Sequence, residues 1–132
     1  MKNETCSILA DGLRVLVVED HADSAIAISR LLRSFGYKAQ IARDLKSAVE
    51  LADRDSFDLL ISDIRLPDGS GLDLMRQLRI GKSMKGIAVS GLASDADRQE
   101  SAAAGFSAHL GKPLDFSRLR ETIDRVCAGS LV

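Results

Sequence analysis

The sequence predicts an α/β fold in which a five-stranded parallel sheet carries helices on both faces. Short apolar runs alternate five times with longer segments of helical period along the 132 residues. Repeated strand-then-helix units are typical of parallel sheets, because each crossover lays a helix against the sheet. The chain length and the 45% share of hydrophobic residues suit a single domain with one proper core.

The first two units show the pattern clearly. "RVLVV" at 14–18 is almost wholly aliphatic, as a strand buried on both faces should be. Apolar residues then recur at spacings of three and four over 24–35, which predicts an amphipathic helix. "YKAQIA" is the second predicted strand, and Asp44 is the predicted N-cap of the helix "LKSAVELADRD".

Three more units repeat this order. In chain order they are the strand "DLLIS", the turn "PDGSG" and the helix "LDLMRQLR", then the strand "GIAVS" and the helix "SDADRQESAAAG", then the strand "SAHL" and a final helix with Leu119, Ile123 and Val126 inward. Ser94 is the predicted N-cap of the fourth helix, and Gly105 is its stop.

Polar residues stand where four of the five predicted strands end. The carboxyl ends of parallel strands meet at one edge of the sheet, where such folds bind ligands. The residues brought to this edge are Glu19, Asp20 and His21 after the first strand, Asp63 at the end of the third, Ser90 at the end of the fourth, and His109 and Lys112 in and after the fifth.

Each of these residues has an ordinary explanation when it is taken alone. Asp20 or Asp23 is a plausible N-cap of the first helix. Ser90 could simply begin the loop after its strand, and Lys112 could be a solvated surface lysine. Their meeting at one edge favours a functional site over a series of coincidences.

The residue types at this edge indicate phosphoryl chemistry. The carboxylates of Glu19, Asp20 and Asp63 would repel one another unless a cation joined them, and an all-oxygen ligand set favours Mg²⁺ over zinc. Lys112 supplies a positive charge and Ser90 a hydrogen-bond donor. These groups can hold phosphoryl oxygens around a carboxylate nucleophile.

The charge balance makes other partner classes poor candidates. Eighteen Lys and Arg face nineteen Asp and Glu without a block of like charge, which argues against direct binding to nucleic acid or to an anionic membrane. No apolar run approaches the roughly 20 residues of a spanning helix, and the first residues lack a signal-peptide core, so we expect a cytoplasmic protein. Cys6 and Cys127 fit no metal-ligand spacing, and we expect two free thiols.

Together the motifs resemble the receiver domain of response regulators. The resemblance covers about residues 13–128 and rests on "VVEDH", "SDIRLPDGSG", "VSG" and "GFSAHLGKP", in this order. It implies a doubly wound, flavodoxin-like sheet of strand order 2-1-3-4-5, with 1–12 as an N-terminal extension and 129–132 as a C-terminal tail. It fits both a single-domain regulator and the receiver of a hybrid histidine kinase in a two-component phosphorelay.

The resemblance also implies an acceptor and a metal site. Asp63 would take a phosphoryl group from a phosphohistidine on a histidine kinase or a histidine phosphotransfer protein. Mg²⁺ would be held by Glu19, Asp20, Asp63 and the main-chain carbonyl of Arg65. The domain would catalyse only its own phosphorylation and dephosphorylation.

The resemblance further implies how the modification is sensed. Ser90 and Lys112 would each bind a phosphoryl oxygen, and the peptide bond between Lys112 and Pro113 would be cis. Phosphorylation would switch the surface formed by the fourth helix, the fifth strand and the fifth helix. The resemblance does not identify the downstream protein partner.

Two positions differ from the family pattern or stay open. His109 stands where the family usually has a Tyr or Phe switch residue. It is either a polar substitute that moves little or serves a partner surface, or a switch that follows Ser90 and makes partner binding pH dependent near neutral pH. Arg65 either contacts the phosphoryl group or attacking water at the entrance, or points outward into solvent.

Two other functions share parts of this pattern. A haloacid dehalogenase-like phosphohydrolase also uses an Asp nucleophile, a Ser or Thr and a Lys, but it requires a second Asp where Arg65 stands. It also has its nucleophile on the first strand of its motif series, whereas Asp63 follows the third. A nucleotide- or flavin-binding module requires a glycine-rich loop where "EDHADS" is acidic. The sequence therefore favours a signalling domain over both.

Overall fold

The computed structural model describes residues 12–80, 84–91 and 94–129, without the side chains of 128 and 129. Within these residues the central parallel sheet consists of β1 (Arg14–Val18), β2 (Lys38–Ala42), β3 (Leu59–Asp63), β4 (Lys85–Ser90) and β5 (Ala108–Gly111). The helices are α1 (Ala22–Ser34), α2 (Leu45–Arg54), α3 (Gly71–Leu78), α4 (Asp95–Ala104) and α5 (Phe116–Gly129). The strand order β2-β1-β3-β4-β5 confirms the predicted fold class and the order implied by the resemblance.

Hydrophobic cores lie on both faces of the sheet. Helices α1 and α5 cover one face, where Leu32 and Leu119 are fully buried. Helices α2, α3 and α4 cover the other, where Leu74 is fully buried. Neighbouring strand residues alternate between the two cores, as Leu59 and Leu60 do. This double burial explains why the strands read as continuous apolar runs.

The predicted signals at the ends of α2 and α4 are confirmed. Asp44 caps α2 by accepting the main-chain N–H of Ser47 at 2.8 Å. Ser94 caps α4 in a reciprocal capping box with Asp97. Gly105 ends α4 in the left-handed conformation, with a φ of 115°.

The expectation that Asp20 or Asp23 caps α1 is wrong. The N-cap residue is His21, whose side chain makes no capping hydrogen bond. Asp23 lies in the first turn, where its charge suits the positive end of the helix dipole. The main-chain N–H of His21 donates instead to Glu19 Oε2 at 3.1 Å. Asp20 is exposed beside this contact, at the carboxyl edge of the sheet.

The predicted turn "PDGSG" between β3 and α3 is part of a short hairpin, whose strands the sequence analysis did not predict. Its two-residue strands, Arg65–Leu66 and Gly69–Ser70, pair antiparallel. At its tip the carboxylate of Asp68 accepts the main-chain N–H groups of Leu45 at 2.7 Å and Lys46 at 3.1 Å. These N–H groups of the first turn have no partner inside α2, so Asp68 is a second cap for that helix. The contact ties the loop after β3 to the neighbouring unit.

Two sequence-based expectations concern parts of the chain away from the sheet edge. No helix among the described residues is long and apolar enough to cross a bilayer. Cys127 is buried in α5, at 7% exposure. Cys6 lies outside the described residues, so the expectation of two free thiols stays a prediction.

Asp68→Ala is expected to lower the free energy of unfolding by about 0.5–2 kcal/mol, because the first turn of α2 loses a carboxylate acceptor. Asp68→Asn keeps one acceptor oxygen and is expected to lose less. Urea unfolding followed by circular dichroism measures both, with the exposed Asp53→Asn on α2 as a matched control. Equal stability of Asp68→Ala and the unmodified chain would show that this contact does not stabilise α2.

Candidate functional site

The pairing register of the sheet brings the polar strand ends together. Asp63 pairs with Val89, and Ser90 pairs with Gly111. Ser90 therefore lies one residue beyond the partner of Asp63, and Lys112 lies one residue beyond the partner of Ser90. The main-chain N–H of Lys112 donates to the Ser90 carbonyl at 2.8 Å, which continues the ladder past the strand ends.

Lys112 links two shielded carboxylates across this edge. Its Nζ lies 2.9 Å from Asp63 Oδ2 and 3.0 Å from Glu19 Oε1. The side chains of Asp63 and Glu19 are only 12% and 5% exposed, so their charges require a partner. Burial acts to lower the pKa of Lys112, but hydrogen bonds to Asp63 and Glu19 outweigh it and raise the pKa above its ordinary value. Lys112 is therefore a full positive charge at neutral pH.

The three predicted carboxylates form one cluster. Glu19, Asp20 and Asp63 each place a carboxylate oxygen within 4.8 Å of the other two. Asp20 is exposed, so the cluster opens toward solvent and leaves room for the waters that Mg²⁺ usually keeps. An all-oxygen set of this kind fits a hard divalent cation better than zinc. Arg65, the source of the expected carbonyl ligand, begins the hairpin after β3 and lines the same pocket.

A cavity of about 490 Å³ opens above these residues. The predicted site residues that line it are Asp20, Asp63, Arg65, Ser90 and Lys112. Asp97 and Glu100 of α4 also line it, although no sequence motif places them there. Their position on the wall follows from the packing of α4 on the sheet, which no local motif encodes. The lining carries four carboxylates and two basic side chains, Arg65 and Lys112, so its net charge is negative, which favours a cation over a free anion.

Gly71 is a site residue that the sequence pattern does not reveal. A Cβ atom at this position would overlap the main-chain carbonyl oxygen of Asp63 and lie 3.0 Å from Ser62 Oγ. The Gly71 N–H donates to the Ile64 carbonyl at 2.7 Å. Gly71 thus sets how closely α3 approaches the end of β3. The only signal in the sequence is a glycine after "PDGS", which a simple turn explains equally well.

His109 lies beside Ser90 inside the protein. In the register it pairs with Ala88, so its side chain is on the same face of the sheet as that of Ser90. His109 is 8% exposed, and its Nε2 lies 2.8 Å from Ser90 Oγ. Its Nδ1 lies 3.2 Å from the hydroxyl of Ser101, a residue of α4 that the sequence analysis did not single out.

The surroundings of His109 bear on the charge of its ring. Burial lowers the pKa of His109, and the charge of Arg98 lowers it further, against a smaller opposing effect of Asp97. The ring is therefore neutral at neutral pH. A change of charge near neutral pH, one of the two interpretations of this residue, is not what this site favours.

These features define a protein that can hold a divalent cation and a phosphoryl group at the carboxyl edge of a parallel sheet. The family model of the response regulator receiver domain matches residues 15–124, and the chain belongs to this family. Receiver domains of two-component systems accept a phosphoryl group on an aspartate. The peptide bond between Lys112 and Pro113 is cis, as the resemblance implied.

Named relatives cover most of the chain. Chemotaxis protein CheY-3 of Vibrio cholerae is 27% identical over 124 residues, which are 91% of this chain and 95% of that protein. Response regulator protein PilR of Pseudomonas aeruginosa is 34% identical over 83% of this chain but only 25% of its own length. The receiver domain of sensor histidine kinase PA1611 from Pseudomonas aeruginosa has a TM-score of 0.78 and 30% identity, and covers 89% of this chain and 98% of its own. That structure has a magnesium ion coordinated in its active site cleft.

Gly71→Ala is expected to lower the free energy of unfolding by about 1–3 kcal/mol, because the added methyl group overlaps the Asp63 carbonyl. Urea unfolding measures the loss. Gly91→Ala is the matched control, since a Cβ there meets nothing within 4 Å. A loss for Gly71→Ala no larger than for Gly91→Ala would contradict this account of the packing.

As the pH is lowered, the stability of the unmodified chain is expected to fall more steeply than that of His109→Gln. The pKa of His109 is lower in the folded than in the unfolded chain, so below the ordinary value of 6.5 the unfolded state binds more protons. The contribution of His109 is therefore complete above this pH and is lost as the pH falls.

The measurement is urea unfolding of both proteins at about pH 7.5 and about pH 5.5. Asp97, Arg98 and Arg118, whose charges lie around the ring, are present in both proteins and do not affect the comparison. A larger loss of unfolding free energy on lowering the pH in His109→Gln than in the unmodified chain would contradict this prediction.

Proposed function

We propose that this chain is a phosphoacceptor receiver, in which Asp63 takes a phosphoryl group from the phosphohistidine of a histidine kinase or a histidine phosphotransfer protein. One observation carries the proposal: the Asp63 carboxylate faces an open pocket, bonded to Lys112 and clustered with Glu19 and Asp20. The receiver is proposed to span 13–128, with 1–12 as an extension and 129–132 as a tail.

The proposed reaction is a displacement at phosphorus. A carboxylate oxygen of Asp63 attacks the phosphorus, the new O–P bond forms, and the P–N bond to the donor imidazole breaks. The imidazole keeps the electron pair of that bond and takes a proton from solvent. Since the Asp63 side chain is only 12% exposed, the donor reaches it from the pocket side. Lys112 holds one oxygen of the carboxylate at 2.9 Å, which fixes its orientation before the donor arrives.

The reaction adds negative charge to an acidic pocket, so positive charge is required. Lys112 provides one charge that persists at neutral pH, and it is placed to pair with a phosphoryl oxygen. Mg²⁺ held by Glu19, Asp20, Asp63 and the Arg65 carbonyl would neutralise further charge when bound. Ser90, also on the pocket wall, is placed to donate its hydroxyl proton to another phosphoryl oxygen.

The proposed output is a shift between two conformations of the surface formed by α4, β5 and α5. Ser90 stands between the pocket and this surface, because its hydroxyl contacts His109 of β5 and, through that ring, Ser101 of α4. A downstream protein reads the shift, and the domain itself acts on no separate substrate.

Incubation with acetyl phosphate and Mg²⁺ is expected to add one phosphoryl group to each chain, measured by intact mass. Asp63→Asn is expected to abolish labelling, whereas Asp53→Asn, a matched change on the exposed side of α2, is expected to keep it. Labelling of Asp63→Asn to the level of the unmodified chain, or no labelling of either, would refute the assignment. Sustained turnover of small phosphate esters would favour the phosphohydrolase alternative.

Lys112→Met is expected to bind Mg²⁺ about tenfold more tightly, because it removes a positive charge that sits between two of the ligand carboxylates. It is also expected to slow phosphoryl labelling. Isothermal titration calorimetry measures the affinity, with Lys38→Met as the control, since Lys38 lies at the amino end of β2. Equal or weaker Mg²⁺ binding in Lys112→Met would contradict the proposed metal site.

A further inference from the structure

A buried chain of hydrogen bonds runs from the pocket to the backbone of α4. It begins at Ser90 Oγ, which lies 2.8 Å from Nε2 of His109. The other ring nitrogen, Nδ1, lies 3.2 Å from Ser101 Oγ, and that hydroxyl lies 2.9 Å from the main-chain carbonyl oxygen of Arg98. His109 and Ser101 are 8% and 2% exposed, so the chain is largely shielded from water. Its members come from β4, β5 and α4.

The chemistry of these groups determines which atom is the donor in each of these hydrogen bonds. Ser101 has one hydroxyl proton, which it donates to the Arg98 carbonyl, so Nδ1 of His109 must be the donor to Ser101 Oγ. The ring is neutral, because burial and the charge of Arg98 lower the pKa of His109. A neutral imidazole with a proton on Nδ1 has none on Nε2. Nε2 is then an acceptor, and Ser90 directs its hydroxyl proton to it.

We propose that His109 and Ser101 are positioning residues that hold the Ser90 hydroxyl proton away from the pocket. When Ser90 donates to a phosphoryl group on Asp63, the hydrogen bonds of this series exchange donor and acceptor, which we call the reversal. The inference rests on the proposed function, since it requires a phosphoryl group at Asp63. It goes beyond that function in assigning a tautomer to His109 and a role to Ser101.

The reversal conserves the number of protons in the chain. The Ser90 proton turns to the phosphoryl oxygen, and the proton of His109 moves from Nδ1 to Nε2 by exchange with water. Nε2 then donates to Ser90 Oγ, and the Ser101 hydroxyl turns to donate to Nδ1. The Arg98 carbonyl loses its bond from Ser101, so the last step of the reversal changes the hydrogen bonding of α4. Without the reversal, a buried Nε2 acceptor would be left without a donor, which is unfavourable.

Nitrogen NMR of the ¹⁵N-histidine-labelled chain tests the inference. The two histidines are distinguished with His109→Gln. Without phosphoryl analogue, His109 is expected to carry its proton on Nδ1. With beryllofluoride and Mg²⁺, it is expected to carry the proton on Nε2. A proton on Nε2 or a charged His109 ring in the protein without the analogue would overturn the inference. An unchanged tautomer in the presence of bound beryllofluoride would also overturn it.

Fluorine NMR separates failure of this inference from failure of the proposed function. Absence of a bound beryllofluoride signal would overturn the proposed function, and with it the reversal. The tautomer of His109 in the resting protein is measured without the analogue. That result therefore tests the proposed direction of the resting hydrogen bonds whether or not beryllofluoride binds.

Ser101→Ala removes the acceptor of the Nδ1 proton. The measured quantity is the tautomer of His109, which a purely structural role of Ser101 in packing would not change. The resting ring is expected to switch to the Nε2 tautomer, which frees the Ser90 proton for the pocket. The affinity for beryllofluoride is then expected to rise by about threefold to tenfold. Ser101→Thr keeps the hydroxyl and is expected to restore both the Nδ1 tautomer and the original affinity. An unchanged tautomer or unchanged affinity in Ser101→Ala would overturn the positioning role.

Discussion

The ion pairs of Lys112 with Glu19 and Asp63 are the interaction on which the rest of the site depends. Two carboxylates with 5% and 12% exposure do not stay charged side by side without a cation. The lysine lies 93 and 49 residues from them in the chain, so only the sheet register brings the three groups together. A one-residue slip of β1, β3 or β5 would turn the side chains of that strand to the opposite face and break the cluster.

The sequence was sufficient to predict this edge but not its surroundings. The end of each strand could be located because apolar runs stop at a polar residue, and parallel strands place Asp63 and Ser90 at a common edge. Asp68, Gly71 and Ser101 could not be found in this way. Asp68 and Ser101 act through contacts set by packing between separate units, such as the hydrogen bond that Asp68 accepts from the N-terminus of α2, 23 residues away. Gly71 acts through the close approach of α3 to the end of β3. Local patterns carry no record of such distances.

His109 shows how one substitution changes the physics of a position. A Phe ring is held by packing alone, whereas this imidazole is held by hydroxyl groups at both ring nitrogens. Its burial keeps it neutral, so the information it can carry is the direction of hydrogen bonds and not a charge. Hydrogen bonds thereby connect the pocket to α4, and each proton in them has few alternative acceptors.

The strand-end carboxylates are proposed to form one divalent metal site that includes Asp63, the proposed acceptor. Anomalous diffraction from a crystal of this chain soaked in Mn²⁺, which prefers oxygen ligands as Mg²⁺ does, tests it most directly. We expect an anomalous peak within coordination distance of carboxylate oxygens of Asp20 and Asp63. Saturating Mn²⁺ with no peak at this cluster, or with the strongest peak held by other residues, would contradict it.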